Sequence, residues 1–165
     1  MENETIVTRR YGGRTRVRVA GLIFDEAGRL LLIEHAGLYD DRTVWTPPGG
    51  EVEFGETLRD GVRREVKEET HLTVEVGELA YVLDFVRPPL HAVSFYFRCT
   101  RPAGTLQTGM DPELPDTEQL IRTVRYVPLS ELPDYNIVPE GLADWLQRDV
   151  PAGFPNAPTY IGTLR

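Results

Sequence analysis

The 165-residue sequence predicts an α/β (α+β) fold, a mixed β-sheet covered by helices, and three observations predict it. Two apolar runs flank an Asp/Gly turn near the start, a proline-free stretch follows at 56–70, and two further runs rich in Val, Leu and Tyr come after it. The expected order is β, β, helix, β, β, β, helix. One domain is expected over 14–150, with an N-terminal extension or edge strand at 1–13 and a Pro/Gly-rich tail at 151–165.

Each element has its own signal. Residues 14–24 alternate and then run apolar, DEAGR follows, and Leu30 to Ile33 is apolar again, which reads as a hairpin. Residues 36–50 read as loop, because Gly37, Asp40, Asp41, Pro47, Pro48, Gly49 and Gly50 surround a single aromatic, Trp45. Residues 56–70 carry one glycine and read as a helix that starts at Gly55-Glu56-Thr57, where an acidic residue suits the positive dipole end. Leu72 to Val86 and His91 to Thr100 read as a strand pair separated by Arg87, Pro88 and Pro89. Residues 101–117 hold three prolines and two glycines and read as a mobile loop, followed by a strand at Leu120 to Val127. A short helix over Pro139 to Arg148 puts Leu142, Trp145 and Leu146 on one face, and the tail after Val150 is expected to be irregular.

Composition narrows the function. With 18 Lys+Arg against 26 Asp+Glu the chain carries a formal charge of −8, so it lacks the basic face that a nucleic acid polymer requires. No run approaches the roughly 20 apolar residues of a membrane span. The N-terminus, with Glu2, Glu4, Arg9 and Arg10, has no apolar core of signal-peptide length. The single cysteine, Cys99, makes neither an internal disulfide nor a zinc site, so the expected location is cytoplasmic.

The chemistry is concentrated in GEVEFGETLRDGVRREVKEETHL, residues 50–72. With residues advancing about 100° each and Glu65 as origin, Glu69 falls at about +40° and Glu68 at about −60°. Leu58, Val62 and Leu72 share that face, within about 60° of Glu65, whereas Arg59, Arg63, Lys67 and Thr70 cluster opposite. The carboxylates therefore sit on the face that turns toward the protein. Three ionised carboxylates at a partly dry surface repel one another and lose hydration, at several kcal/mol for each uncompensated ion. Arg64, four residues before Glu68, offsets one charge and not three. A hard divalent cation with oxygen ligands can gather the rest and reach substrate phosphates. Upstream, Pro47-Pro48-Gly49-Gly50 permits a sharp turn and close backbone approach, which makes a backbone carbonyl available as a further oxygen ligand.

This stretch resembles the Nudix box, Gx5Ex7REUxEExGU with U aliphatic. Gly50, Glu56, Arg64, Glu65, Val66, Glu68, Glu69 and Leu72 stand at the required spacing, and His71 replaces the second glycine. That glycine ordinarily supplies a left-handed turn ending the helix, so the departure implies a small loss of helix-end stability and no lost ligand. The strand pair before the box, the W-x-P-x-G-G approach at Trp45 to Gly50 and the VRYVPLSEL segment at Val124 to Leu132 also resemble the wider Nudix domain.

The resemblance implies an α/β/α sandwich and a hydrolase that cleaves the pyrophosphate linkage of a nucleoside diphosphate joined to another moiety. It implies Mg²⁺ or Mn²⁺ held by Glu65, Glu68 and Glu69 with the Gly50 carbonyl assisting, while Arg64 and Glu56 orient the carboxylates. Water activated by the metal would attack phosphorus, with Glu65 as first choice for the proton acceptor and Glu118 as second. A small-molecule nucleotide derivative is the implied partner, and many relatives pair as homodimers. Pro88, 16 residues after Leu72, resembles the placement in the ADP-ribose hydrolysing subgroup. The tyrosine of the diadenosine polyphosphate subgroup and the SQPWPFPxS pattern of the NADH subgroup are absent. Two other readings are an isopentenyl-diphosphate-isomerase-like enzyme, for which Cys99 is the one thiol, and a non-catalytic nucleotide-ligand sensor. His35, His71 and His91 are expected to be structural or surface residues.

Overall fold

The computed structural model describes residues 6–36, 42–112 and 114–164. Glu2 and Glu4 and the expected loop residues Gly37, Asp40 and Asp41 lie outside them.

A short helix α1 (Ile6–Tyr11) leads into β1 (Thr15–Ile23), β2 (Leu30–Ala36), β3 (Thr43–Thr46) and β4 (Gly49–Glu51). Helix α2 (Leu58–Thr70) follows, then β5 (Thr73–Arg87), β6 (Leu90–Ala103), β7 (Ile121–Val127), α3 (Leu142–Asp149) and β8 (Thr159–Leu164). The strands form two sheets, ordered β4-β1-β6-β5-β8 and β3-β2-β7. Strand β1 runs parallel to β6 and β5 parallel to β8, whereas the other pairings are antiparallel, so the larger sheet is mixed as expected.

Side-chain alternation in β1 and β6 explains the layering. Val19, Ile23, Phe97 and Cys99 face α2 and pack with Val62, Val66 and Leu72. Ala20, Leu22, Tyr81 and Tyr96 face the smaller sheet and α3, meeting Leu30, Leu32, Trp45, Leu142 and Leu146. Helices thus cover both faces of the large sheet. Among the described residues no helix is long and apolar enough to cross a membrane.

Five expectations are corrected. First, β1 and β2 do not form a paired hairpin; beyond a single bridge between Phe24 and Leu30 they belong to different sheets. Both strands are buried on two faces, so the chain turns a corner between layers instead of folding back in one plane. Asp25 fixes that corner by accepting from the Ala27 and Arg29 amides at 3.1 and 2.9 Å. Second, the Trp45 region holds two short strands, too brief and too punctuated by proline and glycine to read as strands from sequence. Third, of the two readings of the N-terminal segment, extension or edge strand, the edge strand is not seen: its described residues carry the short helix α1. Fourth, the tail expected to be irregular returns as β8 on the edge of β5, with Tyr81 opposite Thr159 and Val82 opposite Tyr160. Its residues are half-covered, which leaves no clean apolar alternation to read. Fifth, Thr70 is fully buried and does not lie with exposed Arg59, Arg63 and Lys67; its hydroxyl donates to the Val66 carbonyl.

Candidate active site

Helix α2 is the frame of the site. Thr57 caps its start with extended backbone, accepting from the Asp60 amide at 3.2 Å, and the Arg63–Asp60 pair at 2.7 Å spans the first turn. His71 ends it in the left-handed conformation, φ 62°, so histidine takes the backbone role expected of the missing glycine, and its amide donates to the Lys67 carbonyl. Val62 and Val66 seat the helix on β1, and the expected carboxylate face turns inward, with Glu65 and Glu69 buried and Glu68 half-buried.

Arg64 organises the N-terminal side. Its Nε and Nη2 both donate to Glu56, each at 3.0 Å, in a fork-to-fork pair. Nη2 also donates to the Glu51 carbonyl at 3.0 Å, while Nη1 reaches Glu65 at 2.9 Å and Glu68 at 3.3 Å. The Arg64 hydrogen bonds hold the Glu56 carboxyl below the usual carboxylate range, and Glu56 in return raises the Arg64 guanidinium. Glu56 and Arg64 are thus brought together with Glu65 and Glu68.

On the other side of Arg64 the balance reverses. Burial pushes the Glu65 carboxyl up against the pull of Arg64, and burial raises Glu68 in the same way. Glu69 is raised as well, by burial and then by the neighbouring Glu65 charge. The Gly49 amide, which donates to Glu69 at 2.8 Å, and the Arg18 charge offset part of this. A side chain at Gly50 would overlap the Glu65 carboxylate as it stands, so glycine here lets backbone and acid approach closely.

These groups border a cavity of about 80 Å³ between β1, β4 and α2, lined by Gly50, Glu65 and Glu69. Asp111 lines it from the loop after β6 and adds to the repulsion on all three box glutamates. Arg16 and Arg18 line it from β1 and also line an adjoining cavity of about 30 Å³, floored by Leu83, Phe85, Ala92 and Ser94. The registers place Arg16 beside Ala92 and Arg18 beside Ser94, so two small residues open a groove next to two guanidinium groups. His35 borders the larger cavity, its Nε2 3.0 Å from the Thr46 hydroxyl, and burial followed by the Arg18 charge pushes its imidazole down to about 4.

Glu118 is not brought to these glutamates. It ends a 3₁₀ turn (Asp116–Glu118), pairs with Arg9 at 3.0 Å and is not among the residues lining the cavity. Cys99 packs under α2, outside both cavities, and burial pushes its thiol up to about 12. Sequence reasoning missed Asp111, Arg16 and Arg18. The arginines carried a readable signal, because charges at alternate positions of a strand whose other face is apolar point together into the protein. Asp111 carried none, since its placement depends on how the loop folds back.

The donor set fits a hard divalent cation. It consists of carboxylate and carbonyl oxygens with excess negative charge in a confined chamber. Among the described residues no three His, Cys, Asp or Glu side chains already form a closed metal cage, in keeping with Arg64 holding Glu65 and Glu68 and with the Gly49 amide holding Glu69.

A family model described as the NUDIX domain matches residues 14–148. A MutT-like protein of Streptomyces ambofaciens is 41% identical over 95 residues, 58% of this chain and 58% of that one. Nudix hydrolase 5 of Arabidopsis thaliana is 26% identical over 118 residues, 70% of this chain and 37% of that one. The chain therefore spans between about a third and three fifths of the length of these relatives. Among solved structures, a MutT protein from Methanosarcina mazei Go1 superposes with a TM-score of 0.67 at 24% identity, covering 84% of this chain and 95% of that one. An ADP-ribose pyrophosphatase from Streptococcus suis gives 0.57 at 19% identity over 91% and 98%. At these identities the superpositions establish likeness of fold.

Proposed function

The chain belongs to the Nudix family, and from that premise we propose that it is a pyrophosphohydrolase of small nucleoside diphosphate derivatives. Nudix hydrolases generally use divalent metal cations, and here the ion is Mg²⁺ or Mn²⁺. The observation that carries this reading is the excess of buried carboxylate beside Arg64: Glu65, Glu68 and Glu69 are all raised, although Arg64 bonds Glu65 and Glu68 and the Arg18 charge acts on Glu69. Such a group is costly unless a cation joins it.

Glu65, Glu68 and Glu69 would hold the ion, with the Gly50 carbonyl assisting. Bound there, a divalent ion supplies a lowered pKa for water and offsets the charge of the diphosphate. The chain's own residues do the rest. Arg64, anchored by Glu56 and the Glu51 carbonyl, fixes the rotamers of Glu65 and Glu68. Arg16 and Arg18, which line both cavities, bind diphosphate oxygens, with the adjoining groove taking the substituent beyond them. Glu65 accepts the proton of the water whose oxygen bonds to phosphorus as the bridging P–O bond breaks. Glu118, tied to Arg9, is set aside as proton acceptor. Location of Cys99 beneath α2 favours hydrolysis over thiol-dependent isomerisation.

The test is a Mg²⁺-dependent hydrolysis screen over nucleoside triphosphates, nucleotide sugars, ADP-ribose and dinucleotides, run beside Glu68→Gln and Glu69→Gln. ADP-ribose earns its place through the Pro88 spacing and the ADP-ribose pyrophosphatase likeness. Cleavage by wild type and its loss in both variants is expected. Equal cleavage by all three would refute the site.

A further inference from the structure

We propose that Tyr11 is a positioning residue for the diphosphate: its ring, lying against the Arg16 guanidinium, holds that cation in the wall shared by the two cavities. This rests on the hydrolase reading above, in which Arg16 meets phosphate oxygens. An arginine at the second position of β1 has a long stem and many rotamers to lose. Arg16 is nevertheless only 8% exposed, stands beside Ala92 in the sheet and lines both cavities. Tyr11 covers it. The Arg16 Cζ lies 3.9 Å from the ring centroid, and the ring itself borders the acidic chamber. A guanidinium over an aromatic face is attracted by the ring quadrupole while its N–H groups donate from its edge, so such a contact orients the cation without consuming its donors. Arg10 and Arg14 stand farther from the same ring, at 5.6 and 5.8 Å, and Arg14 is forked onto Glu51, with Nη2 donating at 2.8 Å.

The ring reaches this place from outside the sheet, and the chain around it is built to bring it there. The Gly12 amide donates to the Thr8 carbonyl at 2.9 Å, closing α1 directly after Tyr11, and the Gly13 amide donates to the Pro89 carbonyl at 2.8 Å, between β5 and β6. A side chain at Gly12 would overlap the Thr8 carbonyl and touch Pro89, and Gly13 has φ 76°, so two glycines make the sharp passage from α1 into β1. On the other side, Arg9 pairs with Glu118 at 3.0 Å, a weaker tie because both side chains are exposed. The N-terminal segment is thus fastened to two distant parts of the fold, with its one aromatic ring set over one buried cation.

The experiment titrates inorganic pyrophosphate into the full chain by calorimetry, with and without Mg²⁺, for wild type, Tyr11→Phe, Tyr11→Leu, Arg16→Gln and the Tyr11→Leu/Arg16→Gln double variant. Melting curves check that each is folded. Tyr11→Leu is expected to weaken binding about 3–30-fold, the range for losing a cation–π contact. Tyr11→Phe, which keeps the aromatic face, should bind like wild type. Arg16→Gln should weaken binding at least as much as Tyr11→Leu, and the double variant should bind no worse than Arg16→Gln alone, because Tyr11 acts through Arg16. A merely structural Tyr11 would lower the melting point and add its loss to that of Arg16→Gln. Additive losses overturn the positioning role, as does wild-type affinity in Tyr11→Leu, or tighter binding, which would make the ring an obstruction. A wild type that binds no pyrophosphate defeats this inference, and the hydrolase reading then stands or falls on the screen above. Absence of cleavage in that screen, with Tyr11 and Arg16 still coupled in pyrophosphate binding, defeats the hydrolase reading alone.

Discussion

Glu56 and Glu69 lie on either side of Arg64 along one stretch of chain, and the fold treats them in opposite ways. Glu56 takes two charge-assisted bonds from the guanidinium and titrates below the usual range. Glu69, buried, has the Gly49 amide and the repulsion of Glu65, and titrates well above it. The first carboxylate is a tie that stabilises the native state at neutral pH. The second is a liability there, tolerated because a ligand can settle it. A helix can thus be balanced at one end and left unbalanced at the other, and the unbalanced end marks the chemistry.

The largest effect expected on breaking this contrast is at Glu69. Glu69→Gln should lower hydrolytic turnover at least about a hundredfold, read as kcat at saturating Mg²⁺, while its metal-free melting point at pH 8 does not fall. His35 sharpens the contrast, because the same chamber that holds carboxylates excludes an imidazolium. Its folded value of about 4 lies below the ordinary 6.5, so the stability it contributes is complete above pH 6.5 and is lost as pH falls toward 4. The loss is at most about 3 kcal/mol, and urea unfolding of His35→Gln across that window should lack it.

Glu56→Gln attacks the balanced end. It should cost about 1.5–3 kcal/mol of stability in urea unfolding, the range for hydrogen bonds to charged groups. It should also reduce turnover, since Arg64 loses its anchor. The smallest effect is at the helix end, where His71→Gly should stabilise by up to about 1 kcal/mol by relieving left-handed backbone at a side chain, with activity unchanged.

Much of this was legible because it is local. The spacing of Glu65, Glu68 and Glu69 with Val62 and Leu72 fixed which face of α2 turns inward, and the Thr57 start and His71 end lay where the residue types placed them. The strands β5, β6 and β7 carried their apolar patterns. What was illegible depends on distant partners. Whether β1 pairs with β2 or with β6 is decided by burial on both faces, and β8 exists only because β5 offers it an edge. Asp111 belongs to the site through hydrogen bonds from residues 107, 109 and 119 to chain elsewhere, which no spacing reveals. Glu118, chosen by proximity to a strand, instead pairs with Arg9, 109 residues away.

The central claim is that the face of α2 beyond Arg64 holds more negative charge than the protein alone can bear. With folded carboxyls raised above their unfolded values, stability is present at pH below the ordinary carboxylate range and is lost as pH rises through the folded values. Melting should therefore be followed at pH 5 and pH 8, with and without Mg²⁺. The account predicts that Mg²⁺ raises the midpoint markedly at pH 8, where the glutamates are ionised, and little at pH 5. A Mg²⁺ effect equal at the two pH values, or unchanged in Glu69→Gln, would contradict it.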